Sequence, residues 1–178
     1  NVGIGSGTNG PTTGYSNTVV GYRAGESMGA SHSSVLIGNL AGLNFSAGGN
    51  NTVAIGRWAG GYATGSYNTF VGGNAGKGGT TTNPLSSGKN NVAIGYRALI
   101  GFETGDDNVV IGASAGLSIT TGDNNVAVGN GAGDAITTGT NNIAIGYGVD
   151  VSAADASNET VIGNSSQTSV VFGGSNTK

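Results

Sequence analysis

Residues 90–98 have the sequence NNVAIGYRA, and near copies of this stretch recur along the chain. NTVAIGRWA begins at Asn51, NNVAVGNGA at Asn124 and NNIAIGYGV at Asn141. Each copy has a polar asparagine, then an apolar triplet, then one glycine that does not change. What that glycine does for the backbone decides the fold.

Ten glycines follow an apolar triplet in this way, and we call them the anchor glycines: Gly5, Gly21, Gly38, Gly56, Gly72, Gly95, Gly112, Gly129, Gly146 and Gly163. Successive anchors lie 16, 17, 18, 16, 23, 17, 17, 17 and 17 residues apart, so the period is 17 with one six-residue insertion. The residue before each anchor is Ile or Val, and the residue three before it is Val, Ile or Thr. A fixed period of this kind indicates a repeat architecture.

The spacing inside the repeat is typical of a short strand. Apolar residues two apart point to one face of a strand, so Val92 and Ile94 share a face and Ala93 points the other way. We expect the anchor glycine to mark a corner, where the backbone takes a positive φ or passes close to another backbone. The TG and NN pairs predict a second corner. Two short strands and two corners fit into 17 residues, which predicts an all-β, parallel β-solenoid whose coils stack Val on Val and Ile on Ile.

The composition favours such a solenoid over a compact globule. Glycine accounts for 37 of 178 residues and charged residues for 8%, against roughly 7% and about a quarter in ordinary proteins. Each coil therefore offers few apolar side chains to a core. Because ordering a residue costs ~1–2 kcal/mol, this thin core predicts several chains packed side by side, and we expect a homotrimer.

Several classes of protein are disfavoured by the composition. Cysteine is absent, which leaves no disulfide framework and no thiolate metal site. The six basic residues are scattered along the chain, so the footprint of a nucleic-acid binder is missing. No apolar run approaches the ~20 residues of a membrane span, so we expect no membrane insertion by this segment. The sequence begins inside a repeat, which we interpret as an excerpt of a longer protein.

The chain divides into an array and a tail. We expect residues 1–163 to form a ten-coil solenoid and residues 164–178 to form an exit strand and connector. The insertion occupies residues 76–89, GKGGTTTNPLSSGK. Insertions in repeat folds become loops on one face, often the binding face, and this segment is interpreted equally as a spacer or a recognition loop.

The repeats NNVAIGYRA and NTVAIGRWA resemble the NSVAIG head repeat of YadA-type trimeric autotransporter adhesins. The fuller unit, with its AG and TG pairs, and the closing NETVIGNSSQTSVVFGG at residues 158–174 resemble repeats of bacteriophage tail fibres. The resemblance implies a left-handed parallel β-roll in each chain and an intertwined homotrimer. It also implies an extracellular place, on a cell surface or a virion tail fibre, and attachment to an envelope glycan or protein. The adhesin heads have shorter coils than these, and an alternative trimeric weave of strands remains open.

The candidate ligand contacts follow the repeat phase or flank the insertion: Tyr22, Arg23, Arg57, Trp58, Tyr96, Arg97, Lys77 and Lys89. Tyr22 and Tyr96, like Tyr147, come directly after anchor glycines. One interpretation is a stacked aromatic column at a subunit seam. The other is a stripe on which sugars stack, since aromatic rings offer flat apolar faces. The arginines are interpreted either as partners of a carboxylate of a neighbouring chain or as residues that bind an acidic surface glycan.

No catalytic, cofactor or metal site is predicted. GASAG at residues 112–116 matches a nucleophile pattern around Ser114, but the same frame holds Leu40 or Asn74 in other repeats. GSGTNG at residues 5–10 matches a dinucleotide fingerprint without a βαβ unit. The only histidine, His32, is interpreted as a solvated loop residue.

Three other functions stay open beside the adhesive fibre. An ice-binding solenoid and a purely structural spacer of a tail fibre are the alternatives, although no regular Thr-x-Thr ladder follows the repeat period. A polysaccharide-degrading tailspike enzyme needs a pair of carboxylates facing one groove, and the nine acidic residues occupy no fixed paired position.

Overall fold

The computed structural model describes residues 1–8, 13–45, 49–79 and 85–167. It contains ten strands of three residues: β1 Val2–Ile4, β2 Thr18–Val20, β3 Val35–Ile37, β4 Val53–Ile55, β5 Thr69–Val71, β6 Val92–Ile94, β7 Val109–Ile111, β8 Val126–Val128, β9 Ile143–Ile145 and β10 Thr160–Ile162. All ten lie in one parallel sheet, in sequence order. Each strand precedes an anchor glycine, and we number the coils 1 to 10 by their anchors.

The coils stack in register, which confirms the parallel β-solenoid of about nine turns with ~17-residue coils. Val92 pairs with Val109, and Ile94 with Ile111. The insertion does not disturb the register, because Val71 of β5 still pairs with Ile94 of β6. Nine strand spacings of 4.7–4.9 Å make the stack about 43 Å long.

The core is a narrow column filled by the middle residues of strands β2 to β9. Ala93 and Ala127 are fully buried there. Larger side chains from the opposite side of the same coils, Phe102 and Ile136, complete the filling. Where the strand itself carries the large residue, as at Phe70, its ring lies 5.5 Å from that of Phe102 in the next coil. Small and large residues thus compensate within and between coils, which keeps the packing dense.

The anchor glycines answer the question raised by the repeat. Gly95 has a φ of +134°, and a Cβ there would lie 2.5 Å from the carbonyl oxygen of Gly112 in the next coil. Gly112 and Gly56 show the same combination, with φ values of +137° and +135°. The predicted corner is confirmed, and both suggested reasons apply at once: the backbone is left-handed and touches the next backbone.

A buried asparagine ladder runs along the inside of the second corner. Asn108 donates from its backbone N and from Nδ2 to Oδ1 of Asn91, at 2.9 and 3.1 Å, and Nδ2 also donates to the Gly122 carbonyl at 2.9 Å. Asn125 repeats the pattern on Asn108, and Asn142 repeats it on Asn125. These amides are buried, and every polar atom of the ladder finds a partner in the coil before or after it.

The second strand expected in each coil is not formed in the described residues. An isolated parallel bridge, Ala63 to Ser86, is formed there instead. The physical reason is the AG pair after the corner, whose glycine is left-handed, for example Gly116 at +53° and Gly133 at +61°. A left-handed residue lies outside the β region and therefore interrupts an extended segment.

The insertion and the tail are partly described. The ends of the insertion are tied to neighbouring coils: Gly78 donates to the Ile100 carbonyl, and the buried Ser86 hydroxyl donates to the Phe102 carbonyl at 2.6 Å. Residues 80–84, and residues 168–178 of the exit strand and connector predicted over 164–178, lie outside the described residues. Residues 164–167 form a turn, in which the Gln167 N–H donates to Asn164.

Candidate functional site

The sheet presents a continuous apolar face to the outside. We call it the outer face: the residues three before and one before each anchor. Ile55, Ile94, Ile111 and Ile145 are each 37–39% exposed, while the alanine or valine between the two positions is buried. The two columns run for about 43 Å with about 7 Å between them. That footprint of roughly 300 Å² is comparable with the largest apolar patch of a typical monomer, which is often functional.

The corner that follows the sheet carries most of the sequence-predicted ligand contacts. Its backbone is held by a regular hydrogen-bond ladder, in which the Trp58 N–H donates to Asn39 and the Arg97 N–H donates to Gly73, both at 2.9 Å. Arg23, Trp58 and Arg97 all have a positive φ, between 50° and 61°. The left-handed residue is therefore a property of the repeat position, and it directs these side chains away from the core.

One group of corner side chains faces solvent, and we call it the corner stripe: Tyr22, Arg23, Arg57, Tyr96 and Arg97. Tyr22 and Tyr96 are 54% and 58% exposed. The ring of Tyr96 lies over the neighbouring coil at Gly73, where a Cβ would be 3.5 Å from the ring.

The three guanidinium groups of the corner stripe differ in their partners. Arg23 pairs with Glu26 at 2.6 Å, and the hydrogen bond and charge of Glu26 raise the pKa of Arg23 above its usual value. In the described ranges, Arg57 and Arg97 make no ion pair. Two of the three guanidinium groups therefore have no protein carboxylate to neutralise them.

The predicted aromatic column does not form at this corner. Tyr22 and Tyr96 belong to coils 2 and 6, so about 19 Å of stack separates them. Tyr147 lies three coils further along, and it is 74% exposed. The three rings share a phase but cannot touch within one chain.

Basic and acidic residues are unevenly distributed along the chain. Residues 1–97 hold five basic residues and one acidic residue, a formal charge of +4, whereas residues 98–178 hold one basic and eight acidic residues, a charge of −7. The two sums give the total of −3. Because the solenoid stacks its coils in chain order, coils 1 to 6 form a basic half of the rod and the later coils an acidic half.

Trp58 and Lys77 meet in a separate cluster. The Lys77 ammonium lies 5.2 Å from the Trp58 ring centroid and 5.6 Å from that of Tyr62, and the two rings are 5.5 Å apart. Gly61 lies under the indole, since a Cβ there would be 2.7 Å from Trp58 Cε3. These cation–π contacts hold the start of the insertion against coil 4. Tyr62 was missed as a member of this group, although the glycine before it signals a close approach.

Lys89 lies on the other side of the sheet, at the second corner. Its backbone N–H donates to Asp106 Oδ1, and the Asp106 N–H donates to Asp123 Oδ1 at 2.7 Å. His32 occupies the same position in coil 3, where its ring stacks on Tyr15 at 4.2 Å and its Nδ1 accepts the Tyr15 N–H. His32 is therefore a half-buried member of this corner ladder rather than a solvated loop residue.

Ser114 and His32 are far apart. Ser114 takes the left-handed position of coil 7, with φ +56°, and His32 lies in coil 3, so about 19 Å of stack separates them. In the described residues, no group of three or more His, Asp or Glu side chains converges as a metal site would require. No helix with the length and apolarity needed to cross a membrane occurs in the described ranges.

One pair of acids does come together, near the last coil. Burial raises the pKa of Asp150, and so does its hydrogen bond to Asp134. Asp150 also accepts the backbone N–H of Ala135 at 2.9 Å. It borders an open cleft of about 300 Å³ that Asn164 and Ser165 also line.

Five of the predicted ligand contacts thus lie in the corner stripe, along one edge of the sheet. Trp58 and Lys77 lie beside the stripe, and Lys89 lies at the second corner. No family model, no curated protein and no solved structure matches this chain.

Proposed function

We propose that this chain is a non-enzymatic segment of a homotrimeric, extracellular fibre that attaches to a cell surface. In this proposal each chain is a left-handed β-roll, and three chains pack along their outer faces on a cell surface or a virion tail. The resemblance of the NxVAIG repeat to adhesin heads and tail fibres supports the proposal.

The observation that carries it is the outer face. Ile94 and Ile111 lie on it, exposed to 39% and 37% in a single chain, and equivalent residues continue along all ten strands. Burial of apolar area is worth roughly 25 cal/mol per Å², which is a strong drive toward association for a chain with a narrow core. An apolar face that continues from coil to coil is covered most simply by other copies of the chain that run parallel to it in the same register.

The test is the mass of the protein in solution, measured by light scattering. We expect three times the chain mass of 17.1 kDa. The double variant Ile94→Lys, Ile111→Lys places two charges on the outer face, where each side chain is already partly exposed, and we expect it to give a folded 17.1 kDa monomer. The matched control, Thr104→Lys with Thr138→Lys, adds the same charge at exposed positions outside the sheet and retains the trimer.

Two results would count against the proposal. A wild-type monomer refutes the trimer. A stable trimer that adheres to no bacterial envelope preparation refutes attachment and favours the spacer function, which differs only in lacking a ligand.

A further inference from the structure

We infer that the corner stripe binds an extended acidic polysaccharide in which charged and neutral sugars alternate. The inference rests on the proposed function and specifies the ligand class of that attachment. The stripe consists of Tyr22, Arg23, Arg57, Tyr96 and Arg97, and it lies beside the outer face rather than on it. Assembly along the outer face therefore leaves room for a ligand that follows the rod axis.

The spacing of the guanidinium groups specifies the ligand. Arg57 and Arg97, the two guanidinium groups without a carboxylate partner, belong to coils 4 and 6, so they are two strand spacings apart, about 10 Å along the axis. The hydrogen-bond ladder of the corner fixes this spacing. Carboxylates on every second sugar of an extended chain repeat on a similar scale. Guanidinium groups bind carboxylates through paired, charge-assisted hydrogen bonds.

One tyrosine occupies the interval between these two charges. Tyr96 covers the coil at Gly73 between Arg57 and Arg97, and it stays 58% exposed. A ring with an apolar face and a polar tip suits the face of an uncharged sugar. The order Arg57, Tyr96, Arg97 along the axis thus matches a neutral sugar between two acidic sugars in the ligand.

The charge distribution along the rod confines the ligand to one half. Residues 1–97 carry a formal charge of +4 and residues 98–178 carry −7. Beyond a Debye length of about 8 Å the attraction is screened in physiological salt, so each half acts locally. An acidic polymer therefore binds coils 4 to 6, because the two residues after each later anchor glycine include no arginine or lysine to extend the stripe.

A nucleic acid suits the stripe less well. Its phosphates repeat every 3.4 Å along a strand, about three for each guanidinium group of the stripe. Most of its charges would therefore remain unpaired.

Hyaluronan, with one carboxylate in each disaccharide, is the probe, and dextran is its uncharged control. Binding to the wild-type chain is measured by calorimetry at 50 mM and 200 mM salt. Arg97→Gln removes one charge from the corner stripe, and Lys89→Gln removes one charge from the other corner of the same coil. Both side chains are exposed, so both variants retain the wild-type β spectrum.

We expect Arg97→Gln to weaken hyaluronan binding about tenfold, as for the loss of one charge-assisted contact. We expect Lys89→Gln to weaken it less than twofold, and dextran not to bind. Equal losses in the two variants overturn the inference, because they show non-specific charge attraction. Equal affinity for oligo-dT overturns it in favour of a nucleic acid. A trimer that adheres to cells without binding hyaluronan also overturns it and leaves the proposed function standing.

Discussion

Replacing the anchor glycine Gly95 with alanine tests the account of the corner. The new Cβ would lie 2.5 Å from the Gly112 carbonyl oxygen, at a φ of +134°. A non-glycine residue in such a sparsely populated region costs about 1–3 kcal/mol. Relief of the contact must also push coil 7 away and weaken the 2.8 Å bond from the Gly112 N–H to Ile94, at about 1 kcal/mol for each bond lost. We expect Gly95→Ala to lower the free energy of unfolding by about 2–4 kcal/mol.

Gly148→Ala is the matched control. Gly148 is also left-handed, with φ +55°, but a Cβ there meets nothing within 4 Å. Other coils carry Arg, Trp or Ser at this position, and the expected cost is only about 1 kcal/mol. Urea unfolding followed by circular dichroism gives the order of the two midpoints. If Gly95→Ala is no less stable than Gly148→Ala, the close approach between anchors does not govern the corner.

Three further changes test other parts of the structure. Asn108→Ala should lower the free energy of unfolding by about 3 kcal/mol in urea, because it leaves buried partners in two coils unsatisfied; a cost below 1 kcal/mol would show that the ladder is dispensable. Asp134→Asn should raise the thermal midpoint more at pH 7 than at pH 4. Because the pKa of Asp150 is raised in the folded chain, stability falls as Asp150 loses its proton. The substitution removes the negative charge of residue 134 that repels the ionised Asp150. An equal shift at both pH values would contradict this coupling. Gly61→Ala should displace Trp58, the only tryptophan, and shift its emission to longer wavelength; unchanged emission would show that the indole does not depend on this glycine.

The period of 17 predicted the solenoid because every coil repeats the same backbone requirement. Alternation within VAI correctly placed Ala93 opposite Val92 and Ile94. It did not say which face is inside, since both are apolar; the structure shows that the middle residue is buried, whether it is small, as Ala93, or large, as Phe70.

The NN pair shows what the pattern alone could not resolve. Turn chemistry explained Asn124, which is left-handed with φ +57°, but its neighbour Asn125 is a buried ladder residue. Only stacking places Asn125 over Asn108, and a single coil gives no sign of that contact. The separation of basic from acidic residues is likewise present in the sequence. It indicates a basic and an acidic half of the rod only because the structure stacks the coils in chain order.

The register also determines how the length of the molecule depends on its repeats. Coils of 16, 17, 18 and 23 residues all advance the sheet by one strand, since β5 and β6 pair in register across the longest of them. Length along the axis therefore depends on the number of anchors and not on the number of residues. Duplication or deletion of one coil by recombination would change the reach of a fibre in steps of about 4.8 Å, with the same seams above and below the new junction.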